Sequence, residues 1–270
     1  MTATVDTARV PTGRVLPAVL RSEATKLRTV RSTVWTLLAT VVATIGIGTL
    51  LSLARVSRWD QLSLRERLSI DPTAVSLRGV FLAQLAIGVL GVLVISSEYS
   101  TGMIRTTLSA VPQRRLVLFA KAAVFTAVAL VVGEIAVFVA FFAGQSVLAA
   151  KHVDVTLSDP GVLRAVLGAG AYLTLIGLLG MGLGTLLRRT AGAIATLFGI
   201  VLVLPALVDA LPSPWNTDVG KVLPINAGRA MFTVRYDSSL LSPLGGLVAL
   251  LVTVGVVLAL AMVALQRRDA

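Results

Sequence analysis

The sequence predicts an all-α integral membrane protein with six transmembrane helices, and three observations predict it. First, six apolar stretches fill about half of the 270 residues: 34–54, 79–97, 122–148, 165–187, 190–208 and 244–265. A helix needs roughly 20 apolar residues to cross the hydrocarbon of a bilayer. Second, only the third stretch holds a charged side chain, Glu134. Third, the chain is 56% hydrophobic with a mean hydropathy of +0.90, and the intervening segments leave no room for a sizeable soluble domain.

Taken in order, residues 1–13 are small and polar and are expected to form a disordered tail, with residues 14–270 as a single six-helix domain. Residues 15–31 read as an amphipathic helix lying in the membrane interface. Leu16, Val19, Leu20, Leu27 and Val30 share one face, and Arg21, Thr25, Arg28 and Thr29 lie opposite. Glu23 interrupts the apolar face. Either it reaches Lys26 at i+3, or it marks protein contact in place of lipid. The plainer reading of the segment is a charged lead-in to the first span. A signal peptide fits badly, because the charged region and the apolar run are both too long.

Trp35 and Tyr99 are expected at the inner interface, Trp59 and Trp215 at or beyond the outer one. Ser158-Asp159-Pro160 reads as a helix start, a capping side chain followed by proline, so the fourth span is expected to begin with an extracellular lead-in around Gly161. That span is glycine-rich, and Gly180 and Gly184 form a small-xxx-small pair suited to close helix contact. The short turn Arg188-Arg189-Thr190 makes spans four and five a hairpin. Pro205 is expected to kink the fifth span. Residues 222–232 are apolar enough for a re-entrant or interfacial helix, with a surface loop as the alternative.

Lys and Arg number 14 on the side that holds both termini and ten on the other. Basic residues near span ends mark the cytoplasmic side, so a multi-pass protein of the cytoplasmic membrane with both termini inside is expected. The margin is narrowed by a first outer loop that is itself basic: Arg55, Arg58, Arg65, Arg67 and Arg78. The net charge of +11 then serves anionic lipids and protein partners, not nucleic acid.

No catalytic constellation is present. With no cysteine and one histidine, His152, thiol chemistry and histidine metal sites are excluded. There is no G-x-x-x-x-G-K-[ST], G-x-S-x-G or H-E-x-x-H, so the chain is expected to be no enzyme, with no cofactor of its own. Glu134 sits mid-span, where an ionised carboxylate costs about 2.5–3.5 kcal/mol or more. It should face protein, with Thr44, Thr174 and Thr196 at a similar depth. Its role is either a substrate or proton contact, or a hydrogen bond that locks helices.

The connection EYSTGMIRTTLSAVPQRRLVLFAK, residues 98–121, is longer than joining two helices requires. It holds a break at Gly102, a helix-capable piece 103–110, a stop at Pro112, then Arg114, Arg115 and Lys121. A short helix held below the membrane by two spans is a handle for a soluble partner; alternatively the loop only sets topology.

The order Glu98, Gly102, Arg105, Leu108, Pro112, Arg114, Lys121 after a second span resembles the type-2 ABC export permease family. So do Glu23, Lys26 and Leu27 before the first span. The resemblance covers nearly the whole chain. It implies two permease subunits, as a homodimer or related heterodimer, paired with a separate ATPase subunit that binds the ATP. It makes the N-terminal segment, with Glu23, Lys26 and Arg28, an interfacial connecting helix. It makes 98–112 a cytoplasmic coupling helix between helices 2 and 3. Tyr99, Thr101, Met103, Ile104 and Arg105, with Glu98, would form the ATPase-coupling set. Gly102 would allow a tight entry, and Arg114 and Arg115 would anchor the exit. The expected function is the permease subunit of an ATP-driven exporter of a lipophilic or peptide-like substrate. The alternatives are an ion-coupled secondary transporter using Glu134, or a non-transporting membrane anchor.

Overall fold

A computed structural model describes residues 12–111, 113–235 and 237–267, with side chains from Leu16 onward. Residues 1–11 of the expected tail, the stop at Pro112, and Arg268 lie outside the described residues.

Apart from its connections the described chain is helical, in the order α1 (Thr12–Thr29), α2 (Arg31–Ser57), α3 (Leu64–Ser69), α4 (Pro72–Ser76), α5 (Val80–Ser100), α6 (Met103–Ala110), α7 (Arg114–Leu148), α8 (Val162–Leu187), α9 (Thr190–Phe198), α10 (Leu204–Asp209), α11 (Trp215–Val222), α12 (Pro224–Phe232) and α13 (Pro243–Arg267). Among the described residues six helices are long and apolar enough to cross a membrane: Arg31–Ser57, Pro72–Ser100, Arg114–Lys151, Val162–Leu187, Thr190–Asp209 and Pro243–Arg267. Each contains one expected stretch.

The boundaries differ where polar residues extend a helix beyond its apolar core. The second span starts at Pro72, not at residue 79, because Asp71 caps α4 by accepting from Ala74 N. A tight turn over Leu77–Gly79 then leads into α5. The third begins at Arg114, eight residues before the apolar run. Its 35 residues make it roughly 52 Å long, against a hydrocarbon thickness of about 30 Å. Its first turns therefore stand clear of the apolar layer.

The fourth span is the hub. Of its apolar window 72% is buried, against 17% for the sixth span. It is wrapped by α5, α7, α13 and α12. Glycine permits the closest of these contacts. A Cβ on Gly91 of α5 would overlap the Gly177 carbonyl, and one on Gly180 would overlap the Gly88 carbonyl. The small-residue pair at Gly180 and Gly184 thus packs on α5. Above this crossing the Tyr172 hydroxyl donates to Gln84 Oε1, so two buried polar groups satisfy each other. The Tyr172 ring lies 5.7 Å from that of Phe232, which meets Phe81 edge-on at 5.6 Å.

The structure refines three local expectations. Helix α8 starts at Val162, after Gly161 at φ 84°. The Asp159 side chain accepts from Thr156 N, behind it, so it orders the preceding turn and does not cap the helix. The fifth span carries its irregularity before Pro205. The turn Gly199–Val203 is a π-turn, in which Leu204 N donates to Gly199 O. The segment 222–232 is a packed helix, not a surface loop. In α12, Ala227, Gly228, Ala230, Met231 and Phe232 are buried against α8 and α13.

Side chains stitch the connections at this end. Gln145 of α7 donates to Pro72 O and Ser76 Oγ and accepts from Val155 N. Arg164 of α8 donates to Met231 O and Thr233 O, tying the end of α12 to the hub.

Replacing Gly91 with Val should therefore be severe, with a loss of about 3 kcal/mol or more from overpacking. At Gly46 an added methyl would meet nothing within 4 Å. Alanine there should be neutral or bring a small gain from helix propensity. Thermal unfolding of the two variants in detergent checks both.

Candidate functional site

At the end of the bundle where α1 sits, four charged side chains from three helices meet. Glu23 and Lys26 come from α1, Glu98 from the last turn of α5, and Lys121 from the second turn of α7. Lys26 Nζ lies 2.7 Å from Glu23 Oε1 and 2.8 Å from Glu98 Oε1. Lys121 Nζ donates to Glu98 Oε1 at 2.9 Å and also to Glu23 Oε2. The charges alternate around a closed ring. Glu23, Glu98 and Lys121 are at most 4% exposed.

This arrangement explains why Glu23 lies on an otherwise apolar face. The buried positions of α1 are Val19, Glu23 and Leu27, one stripe at i+4 spacing, which packs mainly on α7. The stripe therefore faces protein. Leu16 and Leu20 are half-buried, and Val30, expected on the helix, lies beyond its end and is exposed. Arg28 points away from the ring, exposed. Burial would depress the Lys26 ammonium, but its hydrogen bonds to Glu23 and Glu98 outweigh that and raise its pKa.

The residues expected to form a coupling set divide. Glu98 is turned inward and committed to the ring, and Ile104 is 3% exposed, so neither offers a surface to a partner. Thr101, Gly102, Met103 and Arg105 are exposed, and Tyr99 is half-buried. Gly102 has φ 72° immediately before α6, a left-handed conformation that favours glycine. Beyond α6, two arginines meet the end of α13, one at a backbone carbonyl and one at a side-chain amide. Arg114 Nη1 donates to Leu265 O at 2.9 Å, and Arg115 Nη2 to Gln266 Oε1 at 3.3 Å. Cations are favoured at a helix C-terminus. The Arg188 guanidinium, at the α8–α9 turn, stacks 5.2 Å from the Tyr99 ring centroid. Together these contacts place α1, α6, the start of α7 and the end of α13 at one end of the bundle.

A cavity of about 220 Å³ opens beside the ring. Leu27, Val30, Leu93, Val94 and Met103 wall it, and Glu98 and Lys121 form its polar side.

Glu134 is not part of this site. It lies 13 residues along α7 from Lys121, roughly 20 Å by helical rise. Its carboxyl group fills the space over Gly170 of α8, and its Oε2 is buried without a hydrogen-bond partner. The threonines expected to hold it do not. Thr44, Thr174 and Thr196 donate to Thr40 O, Gly170 O and Gly192 O, four residues back in their own helices.

The residue that sequence reasoning left outside the site is Lys121, read as a loop cation. Its signal was present. A lysine immediately before a long apolar run and a glutamate on an apolar helical face are two charges that each need a buried partner of opposite sign. Among the described residues no group of His, Cys, Asp and Glu is arranged to hold a metal ion. No family model matches the chain, and no curated protein matches it.

Removing one member of a buried ion ring strands its partners. Lys121→Met should cost about 3–5 kcal/mol, and the double variant Glu23→Met/Lys121→Met should recover much of that loss. Thermal unfolding reads both. A raised lysine pKa stabilises fully below the ordinary value of 10.5 and is lost as pH rises through the folded value. The wild-type unfolding midpoint should hence show an alkaline fall above about pH 10.5 that Lys26→Met flattens.

Proposed function

We propose that this chain is the membrane-spanning permease subunit of an ATP-binding-cassette exporter. In this reading it pairs with a second permease subunit and with a separate ATPase subunit that binds and hydrolyses the ATP. It moves a lipophilic or peptide-like substrate across the cytoplasmic membrane, with both termini in the cytoplasm. The observation that carries the reading is α6. An eight-residue helix hangs between two spans, presents Met103 and Arg105 outward with Thr101 exposed just before it, and has both its flanks tied into the helical body. Glu98, four residues before Gly102, belongs to the charge ring, and Arg114 and Arg115 hold the end of α13. A force applied to α6 is thereby delivered to α5, α7, α1 and α13 together. That is what a coupling helix must do, since a soluble ATPase can act on a membrane partner only through differential contact with its two states. The stripe of α1 that meets α7 leaves Arg21 and Arg28 exposed, as an interfacial helix facing lipid phosphates would have them.

The test is co-purification from the native source in mild detergent, followed by ATP-dependent uptake into inverted vesicles. A Walker-motif ATPase should accompany the chain. Met103→Glu/Arg105→Glu should release it and abolish uptake while the permease still folds, because both side chains are exposed. Transport by the lone chain without nucleotide would overturn the proposal.

One observation favours a second reading, an ion-coupled transporter. Glu134 keeps a buried, unpartnered oxygen at the α7–α8 contact. Under the exporter reading Glu134→Gln should retain ATP-driven uptake within about threefold, since glutamine fills the same space. Complete loss of transport, with normal assembly and restored by no ATPase, would support the ion-coupled alternative.

A further inference from the structure

The opposite end of the bundle holds an arginine-lined recess. A cavity of about 530 Å³ is lined by Arg55, Arg78, Arg229 and Arg235, with Asp71 and Asp237 as its acids. That volume falls within the range of small-molecule sites, roughly 300–1,000 Å³. A second cavity of about 270 Å³ shares Arg55 and Arg78, adds Arg58, and has Leu51, Leu62 and Val75 for walls. The five cations are brought together from four places: the end of α2, the tight turn before α5, α12, and the segment after α12.

The two carboxylates are already engaged. Asp71 accepts from Ala74 N, Val234 N and Arg235 N. Asp237 accepts from Ser239 N and Ser239 Oγ. Among the described residues Arg55, Arg58, Arg78 and Arg235 enter no ion pair. Arg55 Nε is buried with no hydrogen-bond partner.

Gathered like charges repel and raise the energy of the folded chain. A bound anion turns that repulsion into attraction. Guanidinium groups suit anions that offer two oxygens side by side, phosphate above all. The leucine- and valine-walled chamber adds a surface that an inorganic ion cannot use and an alkyl stem can. We propose that this recess binds the phosphate headgroup of an anionic amphiphile, with its oxygens among the arginines and its stem along Leu51, Leu62 and Val75. The site stands apart from the transport reading and gives the basic loop of residues 55–78 a purpose. Its arginines oppose the charge asymmetry that orients the chain, and three of them, Arg55, Arg58 and Arg78, form one wall of a ligand site.

The experiment measures binding of three probes to the detergent-purified chain by calorimetry, at one ionic strength. The probes are a water-soluble short-chain phosphatidylglycerol, the phosphatidylcholine of equal chain length, and inorganic phosphate. Phosphatidylglycerol should bind at least about tenfold tighter than either of the others. Arg78→Gln/Arg235→Gln, at two exposed positions, should weaken it about 100-fold, since each charged hydrogen bond is worth roughly tenfold or more. Arg65→Gln, exposed on α3 outside the recess, removes one charge and should leave binding unchanged. Arg58→Gln repeats the test should the double variant fail to fold. Equal binding of inorganic phosphate and phosphatidylglycerol, both lost in the double variant, would assign the recess to free anions and overturn the amphiphile. Binding untouched by the recess variants, or weakened equally by Arg65→Gln, would overturn the site itself.

Discussion

A charge taken out of water must find an opposite charge, and in this chain that requirement joins α1, α5 and α7 at one point. Glu23, Lys26, Glu98 and Lys121 form their ring where α1, α5 and α7 converge. An all-apolar contact of the same size would hold the helices together but would let them slide. The ring fixes α1 against the two spans that carry α6, because any slip separates charges in a low dielectric. Its energetic contribution is small or even negative against a hydrophobic substitute. What it supplies is position.

The two ends of the molecule follow different rules. One end is rigid through charge pairing and through arginines that cap α13. The other is rigid through backbone stitching by Asp71, Gln145 and Arg164, which leaves the arginines of the recess facing one another. Between them the hub, α8, is held by close backbone approach at glycines and by the buried polar pair of Tyr172 with Gln84. The bundle is most closely packed in its centre, and its least buried spans are α2, the fifth span and α13, each with a quarter or less of its apolar window buried.

Span number, chain order and fold class were legible in the sequence because bilayer thickness imposes a length that hydropathy reports directly. The close packing of Gly180 was legible for the same reason, since small residues at helical spacing have few other uses in lipid. The partners of Glu134 were not. Depth alone suggested Thr44, Thr174 and Thr196, but a threonine hydroxyl in a helix finds a carbonyl one turn back before it finds a neighbour. The ring was half legible. The Glu23–Lys26 pair is local, and spacing reveals it; Glu98 and Lys121 lie 72 and 95 residues from Lys26 along the chain, and only tertiary structure brings them in. Helix ends were misjudged wherever a cap, as at Asp71, or a projecting basic turn, as at Arg114, prolonged a helix past its apolar run.

The wide turn at Gly199–Val203 has a geometric consequence for the fifth span. Its buried positions, Ala193, Leu197 and Val201, recur every four residues. On a regular helix each such step drifts about 40° around the axis, so a third repeat would already be rotating out of contact. A turn that holds an additional residue winds the drift back. The span can thus keep one seam against its neighbours up to Val208.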